Sequence, residues 1–162
     1  MDSIHELKDA LRNTDALRLR RLSDEFTDKA VISQDTETIN LAMISYAFNK
    51  IFSKAHFQEK FEGLVSNALS KLEGMDLKGI MDDIREFDEK HGHFEGNLMK
   101  KARIKIGARL YSHGLSVSRS ASLVNVRISD ILKYVGGTHV HESLTTVSVK
   151  DRLNTARKIF LS

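Results

Sequence analysis

The chain has no cysteine and no proline. Without cysteine it can form no disulfide and no thiolate-bound zinc or iron–sulfur centre, a composition that fits a reducing compartment. The absence of proline removes one common interruption of helices and central strands, so long helices are permitted though not required. Long hydrophobic runs are missing as well. The longest, Leu41 to Phe48, contains Ser45 and falls far short of a bilayer span. The opening residues, Met1-Asp2-Ser3-Ile4-His5-Glu6, are polar and acidic, so no signal peptide is expected. Together these absences predict a cytoplasmic protein with no membrane segment.

What is present is ordinary for a folded domain. Of 162 residues, 41% are apolar and 29% charged, which supplies a core and argues against global disorder. The net charge of +3 conceals an asymmetry. Residues 1–97 hold 13 Lys+Arg against 19 Asp+Glu, a charge of −6; residues 98–162 hold 12 against 3, a charge of +9. An acidic helical part (1–92) and a basic helical module (93–162), joined in one compact unit, are the expected organisation. The basic part suggests a polyanionic partner; attraction between the two parts explains the same asymmetry equally well.

Apolar spacing predicts helices nearly throughout. Ser3-x-x-Glu6 has the form of a capping box opening a short first helix, and Asn13-Thr14 restarts the chain. Leu17, Leu19, Leu22 and Phe26 follow, and residues 34–52 are apolar on most sides, as in the buried centre of a bundle. Phe57, Phe61, Leu64, Val65, Ala68, Leu69 and Leu72 form a helical stripe that Gly74 suits as C-terminal cap. Asp76 can cap the next helix, with Leu77, Ile80, Met81, Ile84 and Phe87 as its stripe. A basic helix runs from about Asn97 to His113. Gly107 inside it predicts the close approach of another helix, and Gly114 is placed to end it. Gly136-Gly137 through Val147 reads as loop or a short extended piece, and Ser148-x-x-Asp151 opens a last helix bearing Val149, Leu153, Ala156 and Phe160 on one face. The fold class is therefore all-α, a multi-helix bundle.

Residues 115–135, LSVSRSASLVNVRISDILKYV, carry the functional hint. Two short helices joined by a tight turn need a small residue where they approach, a turn residue tolerant of left-handed backbone, and apolar residues at set offsets. Ala121, Asn125, and Val124 with Val126, Ile131 and Tyr134 fill those roles. The segment resembles the helix-turn-helix superfamily over about 20 residues, with Asn125 in place of the usual glycine. The resemblance implies that the second helix presents Arg127, Ile128, Ser129, Leu132 and Lys133 outward, where such proteins read the major groove. Arg127, Ser129 and Lys133 suit phosphates or base edges. Ile128 and Leu132 suit burial against another helix or a partner. Upstream, Lys101, Lys105 and Arg109 recur every four residues on one helical face, with Arg119 as an extension, and such a face could follow a phosphate backbone or simply be solvated.

The C-terminal block, KARIKIGARLYSHGLSVSRSASLVNVRISDILKYVGGTHVHE followed by SVKDRLNTARKIF, also looks like a family of uncharacterised archaeal helical proteins, most clearly over about 98–160. That resemblance implies an archaeal cytoplasmic protein and transfers no functional residue. A similar small helix-turn-helix occurs in some antitoxins, which supports a protein partner or a homo-oligomer as the alternative to DNA or RNA.

No catalytic constellation is apparent, and no enzyme, cofactor or metal site is expected. His139-x-His141-Glu142 and the His91/His93 pair are incomplete as zinc ligand sets and lack the i, i+4 spacing of a helical metalloprotease motif. Asp82, Asp83, Glu86, Asp88 and Glu89 read as the solvated face opposite an apolar stripe. Ser116, Ser118, Ser120 and Ser122 lack the strand–turn–helix context of a nucleophile elbow.

Overall fold

The computed structural model describes residues 3–54, 61–91 and 97–138, together with residue 157. Among the described residues there are eight helices and no strand: α1 (Ser3–Arg12), α2 (Ala16–Ser33), α3 (Thr36–Phe52), α4 (Glu62–Glu73), α5 (Leu77–His91), α6 (Leu98–Ser112), α7 (Val117–Val124) and α8 (Ile128–Thr138). The expected all-α bundle is what the chain forms. Phe57, His93, His139, His141 and the Ser148-x-x-Asp151 helix lie outside the described residues.

Short polar side chains start most of these helices by accepting an otherwise orphaned amide. Asp15 Oδ1 accepts from the Arg18 amide at 2.9 Å, Asp76 Oδ1 from Gly79 at 2.9 Å, and Asn97 Oδ1 from Lys100 at 3.0 Å. With no proline available, the stops are made by left-handed residues at Thr14, Gln34, Met75, Gly114 and Asn125. After α4 the sequence expectation is corrected by one position. Gly74 keeps an ordinary φ of −93°, and Met75 takes the left-handed φ of 55°. The Asp76 amide then donates to Lys71 O at 3.0 Å and the Met75 amide to Leu72 O at 3.4 Å, a Schellman pair centred one residue late. Gly136 and Gly137 likewise belong to α8 rather than to a loop; neither adopts positive φ, so they weaken the helix without ending it.

The chain divides into two compact units that are interleaved in sequence: residues 1–26 with 40–102, and residues 27–39 with 103–162. This cuts across the expected boundary at 92/93. Residues 27–39 supply hydrogen-bond partners to residues more than 80 positions downstream, as described below, which brings them into the second unit. The charges become −2 and +5 (14 Lys+Arg against 16 Asp+Glu, and 11 against 6), a milder contrast than the linear halves suggest.

In the first unit α3 is buried on most sides, as its composition predicts. Its polar groups are tied to α2: Ser23 Oγ donates to Ala42 O at 3.0 Å, and Asn49 Nδ2 donates to Ala16 O at 2.7 Å. The α4 helix packs on α1 and α5, and Lys71 Nζ lies 2.6 Å from Asp83 Oδ2. Two expectations fail here. Leu17 is 75% exposed and takes no part in the core. Asp88 is buried, not solvated, because it stands four residues beyond Ile84 and so on the apolar face. Its Oδ2 accepts the Leu98 amide at 2.7 Å, anchoring the start of α6, while Oδ1 has no hydrogen-bond partner among the described residues.

In the second unit Ala108, Ala121 and Ile131 form a small core against which Tyr111, Val117, Val126, Tyr134 and Val135 pack. Gly107 is the notch that allows it. A Cβ there would meet Val124 Cγ2 at 2.8 Å and Ile131 Cδ1 at 2.9 Å, so α6 receives α7 and α8 directly against its backbone.

Candidate nucleic-acid interface

The segment 115–135 folds into two short helices around a single left-handed residue. Ser116 is the N-cap of α7; its Oγ accepts from the Arg119 amide at 3.1 Å. Asn125 ends α7 with φ 54° and ψ 59°, a conformation that asparagine tolerates better than most side chains. The Val126 amide donates back to Ala121 O at 3.1 Å and the Asn125 amide to Ser122 O at 3.2 Å. Arg103, on α6, donates from Nη1 to Val124 O at 3.0 Å. That guanidinium therefore caps the carbonyl end of α7, where a positive charge is favoured by the helix dipole.

The two faces of α8 differ sharply. Inward, Ile131 is fully buried and Tyr134 and Val135 are half-buried against the small core. Outward, Arg127 just before the helix and Ser129 and Lys133 within it are exposed, and between them Ile128 is 43% and Leu132 48% exposed. The two aliphatics are thus not covered by another helix of the described chain. Arg127 makes a forked contact to Asp130, Nε to Oδ2 and Nη2 to Oδ1, each at 3.3 Å, while its side chain stays 77% exposed.

The other basic residues singled out from the sequence are distributed differently. Lys105 is exposed, with Nζ 5.7 Å from the centroid of the Tyr134 ring, so it stands beside α8. Arg109 is turned into an intramolecular ion pair, Nη2 donating to Asp28 Oδ1 at 3.1 Å, with His113 Nδ1 3.8 Å from the same oxygen. Arg119 Nε donates to Gln34 Oε1 at 2.8 Å. Lys101 is exposed but belongs to the first unit. Arg127, Ser129, Lys133 and Lys105 are therefore the members gathered on or beside α8. Asp28 and Gln34 escape sequence reasoning because they lie 81 and 85 residues from their partners. The Arg127–Asp130 pair, three residues apart, is the one contact that helical spacing could have exposed.

Asp35, in the turn between α2 and α3, is a carboxylate of the second unit held by several hydrogen bonds. Burial alone would raise its pKa. Hydrogen bonds from Ser33 Oγ, from the Thr38 amide at 2.7 Å and from the Thr38 hydroxyl at 2.8 Å outweigh that effect and hold it below the usual value.

In the first unit an open groove of about 500 Å³ is lined by Leu11, Phe61, Val65 and Leu69 with Arg12, Thr14, Glu62 and Ser66. Arg12 is held by Asp9 at 3.2 Å. Among the described residues no group of three His, Asp or Glu is placed to hold a metal ion, and no helix is long and apolar enough to cross a membrane. Compared with models of known families, with curated proteins and with solved structures, the chain has no significant match.

Proposed function

We propose that this chain is a non-enzymatic, intracellular nucleic-acid-binding protein of the accessory or transcription-regulator type, with α7–Asn125–α8 working as a helix-turn-helix. The observation that carries the reading is the outer face of α8, where Arg127, Ser129 and Lys133 are all exposed while Ile131 anchors the opposite side. A helix held rigidly from behind and polar and cationic in front has what a groove-reading element needs. Lys105 adds a further charge beside it, and Arg127 can exchange its exposed contact with Asp130 for a phosphate at little cost, because such surface pairs are worth about 0–1 kcal/mol. Arg109 and Arg119, already bonded to Asp28 and Gln34, support the module rather than touch the ligand.

The test is fluorescence anisotropy with random duplex DNA and single-stranded RNA across a salt series. The expected result is a linear loss of log affinity with log salt, shallower when Lys105, Arg127 and Lys133 are replaced by alanine. The partial exposure of Ile128 and Leu132 favours one competing reading, a protein-interaction or oligomerisation surface. Absence of binding to any nucleic acid at low salt, together with dissociation of an oligomer by Ile128→Asp in gel filtration, would establish that reading instead.

A further inference from the structure

Ile128 and Leu132 are the feature of α8 that a phosphate-binding role leaves unused. We infer that they are base-reading residues: they contact the C5-methyl groups of thymine in the major groove, so that the preferred ligand is thymine-containing duplex DNA and not RNA. The inference rests on the nucleic-acid reading above and adds the ligand class.

Both side chains stand on the outer face of α8, well exposed, with Arg127, Ser129 and Lys133 as immediate neighbours. An aliphatic pair enclosed by cations and a hydroxyl is complementary to a surface that is apolar at points and anionic around them. The thymine edge in the major groove fits that description: a methyl group beside an acceptor oxygen, flanked by phosphates. Ser129 can bond the acceptor, Arg127 and Lys133 the phosphates or guanine edges, and the aliphatics the methyl. Ile128 and Leu132 are one turn apart, a rise of about 6 Å, which is close to two base-pair steps of roughly 3.4 Å. Two methyls on nearby steps are therefore within reach of one helix face. Uracil lacks that methyl, and the narrow major groove of an RNA duplex does not admit a helix. Asp130, the one carboxylate in the first turn, is partly offset by the forked contact from Arg127, so its repulsion of an anionic ligand is reduced and not removed.

The experiment compares binding of the full chain to an alternating dA·dT duplex and to its dA·dU counterpart, which differs only in lacking the methyls. Wild type should bind the dU duplex about fourfold more weakly for each methyl contacted, the factor corresponding to roughly 0.8 kcal/mol per buried carbon. Each of Leu132→Ser and Ile128→Ser should remove one such factor, and the double variant should bind the two duplexes with nearly equal affinity, all keeping the wild-type salt slope. Both positions are exposed, and unchanged circular dichroism would confirm that the variants fold. Equal wild-type affinity for the two duplexes, with a steep salt slope, would overturn the thymine contact and leave the nucleic-acid reading standing. Tighter binding to RNA than to DNA would overturn it in the same way. No binding to either duplex at low salt would overturn both, leaving the aliphatic pair to a protein partner.

Discussion

Two residues show how much a single position can carry in this chain. Met75 sits at a left-handed φ of 55° while the neighbouring Gly74 occupies an ordinary conformation. A side chain there costs about 1 kcal/mol that glycine would not. Met75→Gly should therefore raise stability by about 1 kcal/mol, read as a higher urea midpoint at unchanged slope, and Gly74→Ala should be tolerated. The sequence shows that a helix ends near 74 but not which residue turns, because either register satisfies the same carbonyls. Asp130 is the second case. Its carboxylate holds the Arg127 guanidinium in a forked contact and, on the proposed reading, would face the DNA phosphates. Asp130→Asn should tighten DNA binding about three- to tenfold at low salt and much less at high salt, in an anisotropy titration. It should also cost roughly 0.3–1 kcal/mol of stability by removing an acid from the first turn of a helix. Asp88 marks a limit of pattern reading. Its chemistry says solvent and its spacing from Ile84 says core, and the α6 amide it accepts is ten residues away.

At the scale of elements the bundle was legible because apolar stripes report burial directly, and the α3 helix, apolar on most sides, is the clearest instance. Gly107 was readable too, since an interior glycine in a strong helical pattern calls for a close neighbour. Its environment gives a graded prediction. Gly107→Leu should destabilise the second unit by roughly 1–3 kcal/mol in thermal or urea unfolding, because Val124 is branched and cannot swing away. Gly136→Ala meets nothing within 4 Å and should instead stabilise, by up to about 1 kcal/mol. The Asp35 turn supplies a pH prediction. Its folded pKa is depressed, so its contribution is fully present above the ordinary value of 3.8 and is lost as pH falls through the lower folded value. Asp35→Asn should flatten that part of the acid-unfolding curve while keeping the N-cap, whereas Asp35→Ala should cost about 0.5–2 kcal/mol at neutral pH through the lost cap.

At the scale of the whole molecule, the charge distribution was only half informative. The linear count of +9 for residues 98–162 overstates the free positive charge, because Arg109 is committed to Asp28 from the acidic part. Each of Arg127→Ala and Lys133→Ala should lower the slope of log affinity against log salt by about one. Arg109→Ala should leave the slope unchanged and lower stability by less than about 1 kcal/mol, since the pair is partly solvated. No periodicity or composition signal links residues so far apart, which is why the membership of residues 27–39 in the second unit could not be read from the sequence.

That interleaving has a consequence in time. Asp28 precedes Arg109 by 81 residues, and at about 5–20 residues per second a ribosome needs roughly 4–16 s to deliver the second after the first. Through that interval Ala30, Val31 and Ile39 belong to a unit whose other helices have not been made. The second unit is therefore completed late in synthesis whatever the speed of the first. A nascent chain arrested before α8 should be cut by proteases within residues 27–39, and the released full-length chain should resist cleavage there.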